Sequence, residues 1–267
     1  MDENTKAGGQ LYKQIHKFFG SGAHYAGTRG FQIADILLQE ANDLGVETLL
    51  DTRALGRMDN GCVSILHQGK VEAVEAKKVI LATGARHRRL GVEREDEFAG
   101  SGVCYCAVCD GAFYPGHPVA VVGGGDTAVR DALLLTNTCS EVYIIHRRGD
   151  FRAEAANVAA LWGRPNVHLL MHSRVAELLG GSELSGVVVE NVDTHERTAL
   201  SVDGLFVAIG HESDNAPFRA LADTDASGWF TSGEEGITRT PGVFVAGDCR
   251  AKSVKQLITA AGDGAAA

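Results

Sequence analysis

The chain has 267 residues, 45% apolar and 22% charged, which is long enough for two medium domains and apolar enough to bury a core in each. A formal net charge of −9 with no dense Lys/Arg block excludes a nucleic-acid partner gripped through its phosphates. The polar start Met1-Asp2-Glu3-Asn4-Thr5-Lys6 has no apolar leader, and no apolar run reaches the ~20 residues of a membrane span, so a cytoplasmic protein without membrane contact is expected.

In chain order, Phe31, Ile33, Ile36, Leu37 and Leu44 recur at helical spacing and predict a helix over 31–45 closed by Gly45, followed by a strand at 46–50. A strand at 79–82 runs into Thr83-Gly84-Ala85. A buried-type strand at 119–122 feeds Gly123-Gly124-Gly125, a helix from Asp126 to about Leu135, and a strand at 142–145, which together make a β-α-β unit. Further strands are expected at 187–190, 204–209 and 243–246, the last entering Gly247-Asp248, with an Asp-, Ser- and Gly-rich loop over 211–236. No fixed-period repeat is present. Thirty-three glycines against five prolines suit the tight strand-to-helix turns of an α/β nucleotide-binding fold.

Gly123-Gly124-Gly125-Asp126-Thr127-Ala128 fits G-x-G-x-x-A directly after a strand and at the mouth of a helix. The first glycine permits the turn, the second lets a pyrophosphate approach the backbone, and the small last residue lets helix pack on strand. By itself such a pattern is often only a tight turn. The end of the next strand decides between the two. An NAD site places an acidic residue there for the ribose 2′-hydroxyl, whereas this chain has His146-Arg147-Arg148, with Arg152 close behind in Phe151-Arg152-Ala153. Arginines there pair with a 2′-phosphate and favour NADPH over NADH.

Six cysteines are too few for a disulfide scaffold, yet three crowd into Cys104-Tyr105-Cys106-Ala107-Val108-Cys109. Cys106 and Cys109 form a C-x-x-C followed by Asp110-Gly111, and two uses are open: redox exchange or metal ligation. Cys104 offers a third thiolate and Cys62, Cys139 or Cys249 a fourth, but no second C-x-x-C or H-x-x-x-H completes a tetrahedral set. Redox exchange is favoured and no metal site is expected. Hydride does not pass readily from a nicotinamide to a disulfide without an electron-accepting cofactor, and a flavin is the natural intermediary.

Together these motifs resemble the bacterial-type, low-molecular-weight thioredoxin reductases. The resemblance is carried by Gly8-Gly9-Gln10, Ala82-Thr83-Gly84-Ala85, the run at 106–111, Gly123 to Ala128, His146-Arg147-Arg148, Phe151-Arg152-Ala153, Val207-Ala208-Ile209-Gly210-His211, and Pro241-Gly242-Val243-Phe244 through Ala246-Gly247-Asp248. It implies two Rossmann-like three-layer domains: an NADPH domain over 116–240 inserted in an FAD domain built from 1–115 and 241–267. It also implies hinges near 111–116 and 240–242, about which one domain turns on the other. FAD contacts would come from Gly9, Gln10, Thr83, Gly84, Gly247, Asp248 and Gln256, and further cofactor contacts from Ile209, Gly210 and Lys255. Cys109 would face the flavin, Cys106 would attack a thioredoxin or similar protein disulfide, and Asp110 would handle the thiol proton. The family is commonly dimeric.

Four departures from the family pattern stand out. The strand, glycine turn and helix that precede Gly-Gly-Gln in the family, roughly 30 residues, have no counterpart before Met1, and the helix opening at Ala261-Gly262-Asp263-Gly264-Ala265 continues further in relatives. The chain is therefore expected to be a truncated reductase with an incomplete FAD domain and weakened flavin affinity. His16-Lys17-Phe18-Phe19-Gly20 replaces an acidic, asparagine-containing stretch, and Lys255-Gln256-Leu257 replaces the commoner Arg-Gln-Ala. The alternatives are a flavin-free NADPH-binding fragment, or a related dithiol oxidase or peroxiredoxin reductase.

Overall fold

Helix α1 (Gly30–Asp43) forms where the apolar spacing predicts it and buries Ile33 and Ala34. Its end is set by Gly45 at φ +79°. There the Gly45 N–H donates to Asn42 O and the Val46 N–H to Ala41 O, which satisfies the last helical carbonyls. A computed structural model of the chain describes residues 1–13, 25–58 and 60–267. The segment 16–20 singled out above lies outside the described residues.

The strand expected at 46–50 does not form. Its backbone meets residues 2 and 4 through isolated bonds, Asp2 N–H to Leu49 O and Asp51 N–H to Asn4 O, and no ladder develops. Val46 stays 54% exposed, so its apolar character marks no buried strand face. Pairing starts instead in an antiparallel meander, β1 (Thr52–Arg57), β2 (Val63–His67) and β3 (Lys70–Val74), which is too exposed to show a strong apolar signal. Strands β4 (Val79–Leu81) and β5 (Ala85–His87) follow.

The chain divides into two units, one of Met1–Arg86 with His211–Ala267 and one of His87–Gly210. The boundaries thus fall at 86/87 and 210/211, not at 115/116 and 240/241, and the segments 111–116 and 240–242 each lie inside one unit. The reason is strand pairing. After helix α2 (Glu95–Phe98), strand β6 (Val103–Cys104) joins the parallel sheet of the second unit, which carries the following helix α3 (Ala107–Asp110) and its cysteines with it.

The second unit continues through β7 (Pro118–Val122), α4 (Asp126–Leu135), β8 (Glu141–Ile145), α5 (Ala155–Trp162), β9 (Val167–Leu170), β10 (Ser173–Gly180), β11 (Leu184–Asn191), β12 (Arg197–Leu200) and β13 (Gly204–Val207). Its five-stranded sheet has the order β6-β13-β7-β8-β9 and is parallel throughout. Alternation along each strand sends side chains to both faces. Val119, Val121, Val142, Ile144 and Phe206 pack with Ala128, Val129, Ala132 and Leu135 of α4 and Leu161 of α5. Ala120, Val122, Ile145, Leu205 and Val207 pack with Val175, Leu178, Val187 and Val189 of the β10-β11-β12 meander. The result is a three-layer, Rossmann-like unit whose strands are buried on both faces and so read as continuous apolar runs.

The chain then returns through β14 (His211–Ser213), β15 (Val243–Val245) and α6 (Leu257–Ala266). In the first unit β15 pairs in parallel with β4, and Leu81, Val243 and Val245 pack with Phe230, Ala222 and Cys249. Asn215 ties this core together. It is fully buried, donates to Gly228 O at 2.8 Å and Cys249 O at 2.9 Å, and accepts from Thr83 Oγ1 at 2.6 Å.

Candidate functional site

The chemistry-bearing end of the second unit starts where β6 leaves the sheet. Cys106 is the N-cap of α3, and the single turn Ala107–Asp110 brings Cys109 back onto it, so the two are disulfide-bonded. The Cys109 N–H donates to Cys106 Sγ at 3.2 Å, and Cys106 O accepts from Cys109 and Asp110 N–H. Ala107 is buried and anchors the turn, while Val108, between the cysteines, is 69% exposed. Cys106 and Cys109 are themselves half-buried, with a backbone donor aimed at the first sulfur. Among the described residues no group of three His, Cys, Asp or Glu side chains could hold a metal.

Two carboxyls belong to this region, and only one stands out in the sequence. Burial pushes the Asp110 carboxyl up to about 6. Asp131, on α4, is raised to about 6 by burial as well, against the pull of the Ala107 backbone at the start of α3. Cys104 goes the opposite way from a reactive thiol: burial and the Asp110 charge push it to about 12, opposed by the Tyr114 hydroxyl 3.4 Å from its sulfur. A carboxyl raised in the fold favours the protonated state. Its contribution to stability is full below the ordinary carboxyl pKa and is lost as pH rises through about 6. Asp110→Asn is therefore expected to flatten the fall in melting temperature between roughly pH 4 and 7. Because Asp131 titrates over the same interval, the Asp131→Asn single variant and the double variant separate the two contributions in a set of melting curves.

The glycine turn lies between β7 and α4. Gly123, at φ +147°, has no room for a side chain: a Cβ would fall 2.3 Å from Ala208 O and 2.8 Å from Ala128 Cβ, and the buried Ala128 is what lets α4 close onto β7. A Cβ at Gly124 would meet the His146 ring at 2.2 Å. His146 is buried beneath the turn, stacks on Phe151, and bonds through Nε2 to Asp150 O at 3.1 Å. Burial, with the surrounding arginines, lowers its pKa. A Cβ at Gly125 would meet nothing within 4 Å, so the fold leaves open space where a pyrophosphate would approach.

The arginine segment is fastened to this turn by two hydrogen bonds, Arg152 N–H to Gly124 O at 2.7 Å and Glu154 N–H to Asp126 Oδ1 at 2.8 Å. Arg147, Arg148 and Arg152 are all exposed, and none has an acidic partner among the described residues. Thr127 is exposed at the head of α4, Ile209 is half-buried just after β13, and Gly210 has φ +105°. The arrangement fits a dinucleotide bearing a 2′-phosphate. Gly125→Ala is expected to leave the melting temperature nearly unchanged while weakening NADPH binding about tenfold or more, whereas Gly124→Ala also destabilises by roughly 1–3 kcal/mol through the His146 clash. Paired thermal unfolding and fluorescence titration check both.

In the first unit, Gln10 lies in the 3-10 turn Gly9–Lys13. A Cβ at Gly9 or Gly84 would meet nothing within 4 Å among the described residues. Asp248 Oδ1 is buried and accepts no hydrogen bond among the described residues, the kind of acceptor that a cofactor hydroxyl fits. Two residues expected to touch a cofactor are tied up internally. The Thr83 hydroxyl is held by Asn215, and Lys255 Nζ donates to Asp248 O at 2.6 Å and Arg250 O at 2.9 Å while sitting 3.6 Å over the Trp229 ring. Gln256 is the N-cap of α6, and its N–H donates to Thr259 Oγ1 at 3.2 Å.

A three-layer nucleotide fold carrying an arginine-flanked glycine turn and a reactive-type disulfide in one unit defines a class, and the chain belongs to the pyridine nucleotide-disulphide oxidoreductase family, whose model matches residues 9–264. Within that family it is 41% identical over 201 residues to the thioredoxin reductase of Mycoplasma pneumoniae, covering 75% of this chain and 64% of that one. It is 36% identical over 250 residues to the thioredoxin reductase of Streptomyces coelicolor, covering 90% and 75%. The Mycoplasma match thus spans just under two thirds of the relative's length. Among solved structures, the thioredoxin reductase from Streptococcus pyogenes superposes with a TM-score of 0.84 at 32% identity, covering 98% of this chain and 85% of that one. That from Giardia duodenalis gives 0.82 at 30% identity, with 97% and 84% covered. No helix among the described residues is long and apolar enough to cross a membrane.

Proposed function

We propose that this chain is an NADPH-dependent flavoprotein disulfide reductase, delivering electrons through the Cys106–Cys109 pair to thioredoxin or a thioredoxin-like protein in the cytoplasm. The observation that carries the proposal is the half-buried disulfide on α3 in the same unit as a glycine turn whose open side is flanked by three arginines with no acidic partner among the described residues. When bound, FAD supplies the two-electron relay between nicotinamide and disulfide. Gly9, Gln10, Gly84, Gly247 and Asp248 would hold it, with Thr83, Lys255 and Gln256 shaping the surrounding backbone.

The chain's own part is thiol exchange. Once the pair is reduced, the Cys106 thiolate is favoured by the Cys109 N–H and by its place at the helix N-terminus. It attacks one sulfur of the partner disulfide, forming a mixed disulfide and releasing the other partner sulfur as thiolate. Cys109 then attacks Cys106 Sγ, which restores the intramolecular disulfide and frees the second partner thiolate. Asp110, protonated over part of the neutral range, can give its proton to a departing thiolate.

The test is an anaerobic titration of the FAD-loaded protein with NADPH, followed by its visible spectrum and by thiol counting. Bleaching of the flavin bands with the appearance of two new thiols is expected. NADPH binding without bleaching, or bleaching without new thiols, would overturn the assignment.

A further inference from the structure

Helix α6 reaches back to the Gly247–Asp248 turn through one carboxylate. Asp263 accepts from the Gly247 N–H at 2.9 Å and from Lys252 Nζ at 2.9 Å and pairs with the Arg250 guanidinium at 2.7 Å, with 15% of its side chain exposed. Burial alone would raise its pKa, but the Lys252 and Gly247 donors and the Arg250 charge outweigh burial and hold it below the ordinary value. Asp248 presents the reverse situation. Its Oδ1 is buried without a hydrogen bond among the described residues, and Lys252 Nζ stands 3.7 Å away, within ion-pair range but turned to Asp263. The other charged or titratable groups facing Asp248 are Lys255, His211 and Asp263; burial nevertheless pushes its carboxyl up. Lys255 is committed to backbone carbonyls. Two carboxylates therefore compete for one ammonium, and Asp263 holds it.

We propose that Asp263 is a positioning residue that withholds Lys252 from Asp248 and so keeps Asp248 Oδ1 free to accept a hydroxyl of the flavin cofactor; this rests on the flavoprotein reading above. The physical reason is the asymmetry of hydrogen bonding in a buried place. An unpaired acceptor gains a whole bond from an incoming hydroxyl, whereas one already closed by an ammonium gains only the difference. Asp263→Asn keeps an oxygen for the Gly247 N–H and removes the charge that holds Lys252. The ammonium then swings onto Asp248 and blocks it.

Two measurements decide the matter. In a crystal structure of the flavin-free Asp263→Asn protein, Lys252 Nζ is expected at about 3 Å from Asp248 Oδ1. Lys252 remaining on residue 263 overturns the proposal. In FAD titrations followed by fluorescence, Asp263→Asn is expected to bind about tenfold more weakly and Asp263→Asn with Lys252→Met to return to within about threefold of the parent. A double variant as weak as the single one would make Asp263 a mere scaffold residue and overturn the proposal. Lys252→Met alone should keep its FAD affinity; a loss would show that Lys252 serves the flavin directly and would overturn the proposal. Absence of FAD binding by the parent overturns the flavoprotein reading itself, and the crystal structure still decides the contest for Lys252.

Discussion

Cys109→Ser is expected to stop reduction of protein disulfides by at least about 10³-fold while leaving Cys106 able to attack, so that the partner accumulates as a covalent adduct. The asymmetry follows from α3. Cys106 is the N-cap, its sulfur receives the Cys109 N–H at 3.2 Å, and a serine at 109 keeps that backbone donor. The first exchange therefore survives and the resolving step does not, because no thiolate remains at position 109 to displace the partner. Cys106→Ser removes the first step and should give an equally inactive protein that traps nothing. Mass spectrometry of each variant after mixing with an oxidised thioredoxin reads the difference. Adducts from Cys106→Ser but not from Cys109→Ser would reverse the roles.

The second large effect concerns the nucleotide. Replacing Arg147 and Arg148 together by alanine should weaken NADPH binding by roughly 1.5–3 kcal/mol for each charge-assisted bond lost, or about 10- to 10²-fold per arginine, and leave NADH binding nearly unchanged. These side chains are exposed and have no acidic partner among the described residues, so their removal leaves no buried charge behind and the fold should hold its melting temperature. Because the segment that bears them is fastened by the Arg152 N–H to Gly124 O and Glu154 N–H to Asp126 bonds, the open pocket should keep its shape. Equal losses for NADPH and NADH would mean that the arginines serve the pyrophosphate and not the 2′-phosphate.

What the sequence reveals here depends on whether a signal is local. The β7-α4-β8 unit is legible because buried parallel strands are continuous apolar runs and the glycine turn joins them within a few residues. The C-x-x-C is legible for the same reason. The meanders β1-β2-β3 and β10-β11-β12 are less so, since one face of each strand is polar and their register depends on partners. Domain boundaries failed on a two-residue strand: pairing of Val103 and Cys104 with Leu205 and Phe206 assigns the cysteines to the nucleotide unit, and nothing near residue 103 announces a partner a hundred residues on. Asn215, bonded to Thr83 and Cys249, and Asp131, set against the start of α3, carry no local mark at all. His146 is the opposite case, a residue conspicuous in its motif whose ring turns out to support the backbone of Gly124.

Three of the four remaining cysteines bear on a different matter, how a reactive pair is kept apart from other sulfurs. Cys104 stands two residues before the reactive pair, yet its sulfur is buried under the Tyr114 hydroxyl and held as a thiol. Cys139 and Cys249 are also buried with raised pKa, the latter donating to Leu81 O and Ala246 O. A thiol that does not ionise neither attacks a disulfide nor takes up an oxidant at speed. The fold thus sets these three sulfurs apart from the Cys106–Cys109 pair, so that none of the three is poised to divert it into a mispaired bridge.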